Sequence, residues 1–254
     1  HTAATIAAAL LSAGLTPLTL ATPASAAPAK HADDFNGDGY RDLAAAAPYT
    51  PVGGKTDAGA VVITYGSANG ISAARRTVLT QDTAGIPGTA EQGDRFGKAL
   101  TSGDLNSDGY ADLVIGSTGE DVGTDADGGS VTVVWGGKSG LSGGRGVPDP
   151  AVAAHDEYGM SLAVGDFSGD GLADLAVGST GSDIWVHEGI SKASGSGAHQ
   201  ELASGLRGGA GLAGAQSLAA GDIDGDGTDD LVATAARRPH TRTAPWSTSA
   251  PPLP

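Results

Sequence analysis

The sequence of 254 residues contains no cysteine and only 14 lysines and arginines, against 29 aspartates and glutamates. Without cysteine the chain can form no disulfide bond, so the fold must depend on its core and, we infer, on bound ions. The basic residues form no patch, since Arg75-Arg76 and Arg237-Arg238 are isolated pairs, which makes nucleic acid an unlikely partner. After the first twenty residues no apolar run reaches the length that a membrane-spanning helix needs.

The common signatures of hydrolases are missing as well. There is no Gly-x-Ser-x-Gly elbow, no His-Glu-x-x-His motif and no cysteine nucleophile. One Gly-x-Gly-x-x-Gly occurs at residues 209–214, but no strand pattern precedes it, so we attribute it to the abundance of glycine. The sequence therefore predicts a protein without catalytic activity.

Three histidines and two tryptophans stand out between the repeats described below. We interpret His155, His187 and His199 as surface or turn residues. Trp135 and Trp185 occupy equivalent positions near glycine-rich turns, and we expect both to pack in the core. Stacking of these tryptophans on a sugar is the alternative.

What the chain does contain is one acidic motif in four copies, at residues 34–43, 104–113, 166–175 and 222–231. Each copy has oxygen-bearing side chains at positions 1, 3, 5 and 9, a glycine at position 6 and a leucine at position 10. Together with the backbone carbonyl of position 7, such a set can surround one hard cation with six or seven oxygens. No copy offers histidine or cysteine, so the pattern predicts calcium rather than zinc or copper. Turns without an ion are the alternative, which four spaced copies disfavour.

Position 12 distinguishes these loops from the EF-hand, the helical calcium loop, which closes there with a bidentate glutamate. The residues at position 12 are Ala45, Ile115, Val177 and Ala233. Each lies in a short apolar run that ends in Gly, Pro, Ser or Thr, which is typical of a buried strand. We therefore predict loops that join two strands, with position 9 at the start of the second strand.

The first residues of successive motifs are 70, 62 and 56 residues apart, which indicates a stack or ring of similar units. Segments with a central leucine and a final glycine precede the last three loops, at residues 96–103, 158–165 and 214–221. Further strand-like segments follow the loops, at residues 60–66, 130–136 and 183–187, with a weaker one at 77–79. One unit thus reads as strand, calcium loop, strand, long turn, strand and a weaker fourth strand, which predicts one blade of a β-propeller.

At these residues the chain resembles the FG-GAP repeat family, whose best-known members are the seven-bladed propeller heads of integrin α subunits. The name describes a Phe-Gly pair followed by Gly-Ala-Pro. Phe96-Gly97 matches the first half, Tyr158-Gly159 nearly matches it, and Gly214-Ala215 lacks the aromatic residue. The second half survives as Ala-Ala-Ala-Pro48 and has drifted to Gly-Ser-Thr in the next two repeats. The resemblance covers about residues 33 to 236. It implies an all-β propeller of about four blades that closes alone, is an incomplete seven-bladed ring, or shares a ring with a second chain.

The resemblance also implies which residues hold about four calcium ions. The implied ligands are Asp34, Asn36, Asp38, Tyr40 and Asp42 in the first loop; Asp104, Asn106, Asp108, Tyr110 and Asp112 in the second; Asp166, Ser168, Asp170, Leu172 and Asp174 in the third; and Asp222, Asp224, Asp226, Thr228 and Asp230 in the fourth. The residues at position 7 (Tyr40, Tyr110, Leu172 and Thr228) would contribute their carbonyl oxygens. Because serine is a weaker ligand than aspartate or asparagine, we expect the third site to be the loosest.

The two ends of the sequence differ from the repeats. Residues 1–26 combine an apolar segment with Ala24-Ser25-Ala26, which is typical of a secretory signal peptide that is incomplete at its start. A disordered alanine-rich tail is the alternative. We expect residues 27–32 to be a linker, residues 33–236 to be the propeller, and the proline-rich residues 237–254 to be a disordered tail.

The sequence therefore predicts a secreted propeller that binds calcium and acts as a binding or adhesion module. Extracellular calcium is plentiful enough to fill weak sites of this kind. The partner would be an extracellular protein or glycan, bound on long turns such as residues 48–58 and 117–129. An extracellular hydrolase or a lectin-like protein that uses the propeller as a scaffold is the alternative.

Overall fold

The computed structural model describes residues 29–181, 183–193, 195, 197–203 and 212–237. Its regular elements are β1 (Leu43–Ala47), β2 (Ala60–Thr64), β3 (Arg76–Leu79), β4 (Phe96–Gly103), β5 (Asp112–Ser117), β6 (Ser130–Trp135), β7 (Ser142–Val147), a 3-10 turn (Val152–Ala154), β8 (Ser161–Gly165), β9 (Asp174–Gly178), β10 (Asp183–Glu188), β11 (Ala198–Ala203), β12 (Leu212–Gly221) and β13 (Asp230–Arg237). The predicted signal peptide and residues 238–254 of the predicted tail lie outside the described residues.

The strands form four antiparallel sheets, each built from one continuous part of the chain. The first sheet contains β1 to β3, the second β4 to β7, the third β8 to β11, and the fourth β12 and β13. Neighbours in sequence are neighbours in each sheet, so every sheet is a simple meander. This arrangement confirms the predicted all-β fold with about four propeller blades.

The hydrophobic core lies between successive sheets rather than inside any one of them. β5 shows why, because its side chains alternate between the two faces of its sheet. Leu113 and Ile115 pack in a cluster with the first sheet, where they meet Ile63. Val114 points the other way, into a second cluster with Leu175 of the third sheet. A third, smaller cluster joins the third sheet to the fourth. The sheets are therefore stacked face to face as blades.

The two outermost sheets are covered less completely than the inner two. Leu43 in β1 is 46% exposed and Val232 in β13 is 45% exposed, whereas every residue of β5 is buried. Among the described residues, the first sheet has no strand in the place that β4 and β8 occupy in theirs. The described chain thus contains two complete four-stranded blades flanked by two smaller sheets.

The Phe96-Gly97 pair marks a bulge at the start of β4, and the related Tyr158-Gly159 pair lies just before β8. Phe96 and Tyr158 are fully buried between sheets. The glycines that follow, Gly97 and Gly159, have φ values of 89° and 88°, in the left-handed region. The register of β4 against β5 shifts between Phe96 and Ala99. Glycine is favoured here because it adopts this backbone conformation without a steric penalty.

Candidate calcium loops

The four acidic motifs lie at the same end of the four sheets. The second, third and fourth motifs connect β4 to β5, β8 to β9 and β12 to β13, and the first precedes β1. Position 9 is the first residue of β5, β9 and β13, and it comes one residue before β1. The predicted placement between two strands therefore holds for the second, third and fourth loops, whereas among the described residues no strand precedes the first loop.

The carboxylate at position 1 organises each loop by accepting hydrogen bonds from the loop's own backbone. In the first loop Asp34 accepts the amide hydrogens of Asp38 (3.1 Å) and Gly39 (2.8 Å). The bond from the glycine at position 6 recurs in the other three loops, at 3.0, 2.8 and 3.1 Å. Position 5 in turn accepts the amide hydrogen of position 7, at 2.8 to 3.1 Å across the four loops. Each acidic side chain is thus held on the inside of one tight turn.

In the first three loops the aspartate at position 9 is buried and pins the loop to its sheet. Asp112 is fully buried, and its carboxylate accepts the amide hydrogens of Leu105 (3.1 Å) and Gly136 (2.9 Å). Asp42 makes the same pair of bonds in the first loop, to the amides of Phe35 and Gly66. Asp42 therefore connects the start of the first loop to the residues that follow β2. Asp112 likewise connects the start of the second loop to the residue that follows β6.

Burial changes the acidity of these carboxyl groups. Removal from water raises the pKa of Asp112 to about 7, and the nearby carboxylates of Asp108 and Asp104 add to the effect. Burial also raises the pKa of Asp42 and of Asp174, partly offset by the hydrogen bonds that both accept. One oxygen of Asp174, Oδ1, is buried and has no hydrogen-bond partner within the described part of the chain. A nearby cation would favour the charged form of all three groups.

The fourth loop presents the most open set of ligands. Carboxylate oxygens of Asp222, Asp224 and Asp226 lie within 4.8 Å of one another, and all three residues are exposed. Such a set consists only of oxygen atoms and carries three negative charges, which suits a hard cation such as Ca²⁺. The residues present therefore fit the predicted ion.

In the first two loops a basic side chain lies beside position 5. Arg75 Nη2 is 3.6 Å from Asp38 Oδ2, and the Lys192 ammonium contacts the carboxylate of Asp108. The Lys192 ammonium also lies 5.9 Å from the centre of the Trp135 ring. These contacts neutralise part of the charge that the carboxylates would otherwise share.

The five predicted ligands of each loop lie within nine consecutive residues, and the hydrogen bonds of position 3 differ from loop to loop. Asn36 accepts the amide hydrogen of Asp38 (2.9 Å), whereas Asn106 donates from its side chain to Asp112 (2.7 Å). Ser168 donates its backbone amide hydrogen to Asp174 (3.0 Å). Calcium coordination by these residues stays a prediction.

Sequence reasoning missed some residues that complete the loops. Gly66 and Gly136 donate to position 9, and an added Cβ would meet a carbonyl oxygen at 2.2 Å and 2.1 Å, so no side chain fits there. Both glycines could have been recognised in the sequence, because each directly follows an aromatic residue at the end of a strand-like segment, Tyr65 after β2 and Trp135 in β6. Lys192 had no such signal, because it is 84 residues away from Asp108 in sequence.

The structure corrects the interpretation of His187 as a surface or turn residue. His187 lies in β10, is 1% exposed, and its Nε2 is 2.6 Å from the hydroxyl oxygen of Tyr158. It pairs with Leu175, and that register turns its ring toward the second core cluster. The ring of His155 is also buried, 3.4 Å from Asp149, while His199 is exposed in β11. Trp135 and Trp185 pack in or against the core, as predicted.

Comparison with known families identifies the repeats. The FG-GAP repeat model matches residues 31–64, 96–134, 158–198 and 214–244, which together make up more than half of the chain. The chain belongs to the FG-GAP repeat family. Each matched FG-GAP segment contains one complete acidic loop, so the loops and the family repeats coincide. The last FG-GAP match extends past residue 236, where the sequence predicted the end of the repeats.

Curated relatives that share these FG-GAP repeats include a phospholipase and integrins. Phosphatidylinositol-glycan-specific phospholipase D of Rattus norvegicus is 32% identical over 149 residues, which are 58% of this chain and 17% of that protein. Integrin alpha-PS5 of Drosophila melanogaster is 30% identical over 163 residues, 60% of this chain and 14% of that protein. Integrin alpha-E of Mus musculus is 39% identical over 113 residues, 42% of this chain and 10% of that protein. The chain thus spans less than a fifth of the length of these relatives.

Proposed function

We propose that this FG-GAP chain is an extracellular propeller that binds calcium through its four loops and serves as a binding or adhesion module. The observation that carries the proposal is the convergence of the Asp222, Asp224 and Asp226 carboxylates within 4.8 Å, in a loop whose hydrogen bonds recur in the other three. The similarity to integrin alpha chains supports the same assignment.

Calcium would supply the positive charge that these loops lack. Carboxylates crowded into one turn repel one another, and a divalent cation converts that repulsion into attraction. The ligands would be the side chains at positions 1, 3, 5 and 9 with the carbonyl of position 7. In the first two loops position 9 already accepts two backbone hydrogen bonds, so positions 1, 3 and 5 would contribute most of the binding there.

The partner would bind at the opposite end of the sheets, on the long turns that lead from β1 to β2 and from β5 to β6. The turns after β1 and β5 both contain a short antiparallel bridge, Val52 with Lys55 and Val122 with Asp125. Beside the first of them Tyr49 is 59% exposed, and the Lys98 ammonium lies 5.7 Å from its ring centre. Aromatic rings next to a cation suit either a protein or a glycan surface.

We propose no catalytic role for this chain. The phospholipase name belongs to a relative that matches over 17% of its own length, so the shared segment accounts for a small part of that protein. A hydrolase or lectin that uses the propeller as a scaffold is the alternative. A glycan array probed with and without calcium separates a lectin from a protein-binding module.

Isothermal titration of the metal-stripped chain with Ca²⁺ tests the calcium part of the proposal. We expect about four loop ions, and one fewer for Asp226→Ala, because this change removes a charged ligand from the fourth loop. Glu201→Ala is the matched control, since Glu201 is an exposed carboxylate in β11 away from every loop. Equal stoichiometry in wild type and Asp226→Ala would contradict the assignment of an ion to the fourth loop.

A further inference from the structure

The second acidic loop is in contact with a lysine from the next sheet. Lys192 belongs to the turn between β10 and β11 of the third sheet, whereas Asp108 is position 5 of the loop between β4 and β5 of the second sheet. The Lys192 ammonium contacts Oδ2 of Asp108, and the two side chains are 47% and 31% exposed. We call this contact the Lys192 latch. It joins two blades at the end of the sheets where the acidic loops lie.

Contacts with the core and with the second sheet fix the backbone around Lys192. Ile190 is 2% exposed and packs in the second core cluster. Nη2 of Arg145, in β7, donates a hydrogen bond to the carbonyl oxygen of Lys192 (3.4 Å). The amide of Gly195 donates to the carbonyl oxygen of Ser191 (2.8 Å), which closes the turn. Because its backbone is anchored in this way, Lys192 keeps its ammonium within reach of the second loop.

The latch occupies the oxygen of Asp108 that the loop's own backbone does not use. Oδ1 of Asp108 accepts the amide hydrogen of Tyr110 (3.1 Å), the bond that position 5 makes in every loop. The Lys192 ammonium lies against the other oxygen, Oδ2. A divalent cation bound by Asp108 would repel an ammonium in contact with the same carboxylate. The ammonium and an ion in the second loop therefore compete for Asp108.

The other loops differ from the second in their basic neighbours. In the first loop Arg75 is 3.6 Å from Asp38, and it lies in the turn between β2 and β3 of the sheet to which that loop leads. Its Nη1 donates a hydrogen bond to the carbonyl oxygen of Gly66 (2.6 Å). Asp170 and Asp226, at position 5 of the third and fourth loops, form no ion pair within the described part of the chain. In the described structure, an ion pair from position 5 to the next sheet is thus particular to the second loop.

An aromatic ring gives the ammonium a second favourable contact. The Lys192 Nζ atom lies over the ring of Trp135, 5.9 Å from its centre. A cation within about 6 Å of an indole ring is attracted by the negative face of that ring. Lys192 can therefore leave the carboxylate of Asp108 and stay beside Trp135, which lowers the cost of displacing it.

We propose that Lys192 is a tethered competitor of calcium, whose ammonium binds Asp108 when the second loop is empty and leaves Asp108 when the loop binds Ca²⁺. This inference rests on the calcium function proposed above for the loops. The latch lowers the calcium affinity of the second loop, so this loop fills at a higher calcium concentration than it would without Lys192. Filling also exchanges a contact between the second and third blades for an ion.

Calorimetric titration of the metal-stripped chain with Ca²⁺ tests the latch by comparing wild type with Lys192→Met. Methionine keeps most of the length of the side chain and removes its charge. We expect one ion to bind about two- to tenfold more tightly in Lys192→Met, with the number of ions unchanged. Lys98→Met is the matched control, since Lys98 is exposed in β4, six residues before Asp104. We expect the control to keep the wild-type affinities.

A second background shows whether the effect passes through Asp108. Lys192→Met should leave the calcium affinities of Asp108→Ala unchanged, because that chain has already lost the latch. Unchanged or weaker binding in Lys192→Met, beside a wild type that binds about four ions, would overturn the latch and leave the proposed calcium function standing. A wild type that binds no Ca²⁺ would contradict the proposed function itself, and the latch with it.

Discussion

At the scale of single residues, the aspartates of each loop form two groups with different structural roles. Those at positions 1 and 5 shape the turn and keep carboxylate oxygens on its inner side. Those at position 9 are buried in the first three loops, and in Asp42 and Asp112 both oxygens accept backbone hydrogens. We therefore expect position 5 to matter for the ion and position 9 to matter for the fold even without an ion.

A pair of alanine variants in the second loop tests this division. Asp112→Ala leaves the buried amides of Leu105 and Gly136 unpaired, so in EDTA we expect a loss of about 2 to 4 kcal/mol in the free energy of unfolding. Asp108→Ala removes a half-buried carboxylate paired with Lys192, and we expect a loss of about 1 kcal/mol or less in EDTA. With calcium, Asp108→Ala should bind one ion fewer and lose stability in the second blade. Urea unfolding with and without calcium measures the free energy of unfolding of both variants. Equal losses for the two variants in EDTA would contradict the different roles assigned to positions 5 and 9.

His187 predicts a dependence of stability on pH. Burial lowers its pKa to about 4 in the folded chain, whereas the unfolded value is 6.5. Between these values the unfolded chain binds a proton that the folded chain does not, so His187 destabilises the fold as pH falls from 6.5 toward 4. Relative to His187→Gln, the wild type should lose about 2 kcal/mol between pH 7.5 and pH 5.

Urea unfolding of both chains in EDTA at the two pH values measures this loss. The comparison with His187→Gln is needed because buried carboxylates with raised pKa values act in the opposite direction. A stability difference between the two chains that does not change with pH would show that His187 is not held neutral.

At the scale of strands and loops, most of the structure could be predicted from local sequence. The apolar runs after each motif became β1, β5, β9 and β13 because short apolar segments bounded by turn residues favour strands. The loops were predictable because their ligands, glycine and spacing are all local. The contacts that could not be predicted join distant residues, such as Lys192 with Asp108 and Gln81 with Glu120. Their positions depend on how one sheet stacks on the next, which no local pattern records.

The bulge at the start of β4 provides a prediction at this scale. In Gly97→Ala the new methyl group would lie 2.8 Å from a methyl carbon of Val61, and φ would stay at 89°. Gly70→Ala is the control, since Gly70 has φ of 82° with nothing within 4 Å. We expect about 1 kcal/mol of destabilisation from backbone strain in the control and about 1 to 3 kcal/mol more in Gly97→Ala. Equal losses in urea unfolding would show that the β4 bulge is not closely packed against the first sheet.

At the scale of the whole molecule, stability depends on the junctions between blades. The core clusters lie between sheets, and the chain has no cysteine to cross-link them. The net charge of −15 opposes compaction, and four Ca²⁺ ions in the loops would remove about half of it. Among the described residues, no helix has the length and apolar character needed to cross a membrane.

The most direct test of the account is the thermal melting of the chain with Ca²⁺ and with EDTA. Binding to the folded state alone raises stability by about 2.7 kcal/mol for each site when calcium is at a hundred times its Kd. We therefore expect the midpoint of unfolding to rise by more than 10 °C in saturating calcium, because several sites add their effects. Identical melting curves in calcium and EDTA would show that the four loops are turns without an ion, and would contradict the proposed calcium-dependent propeller.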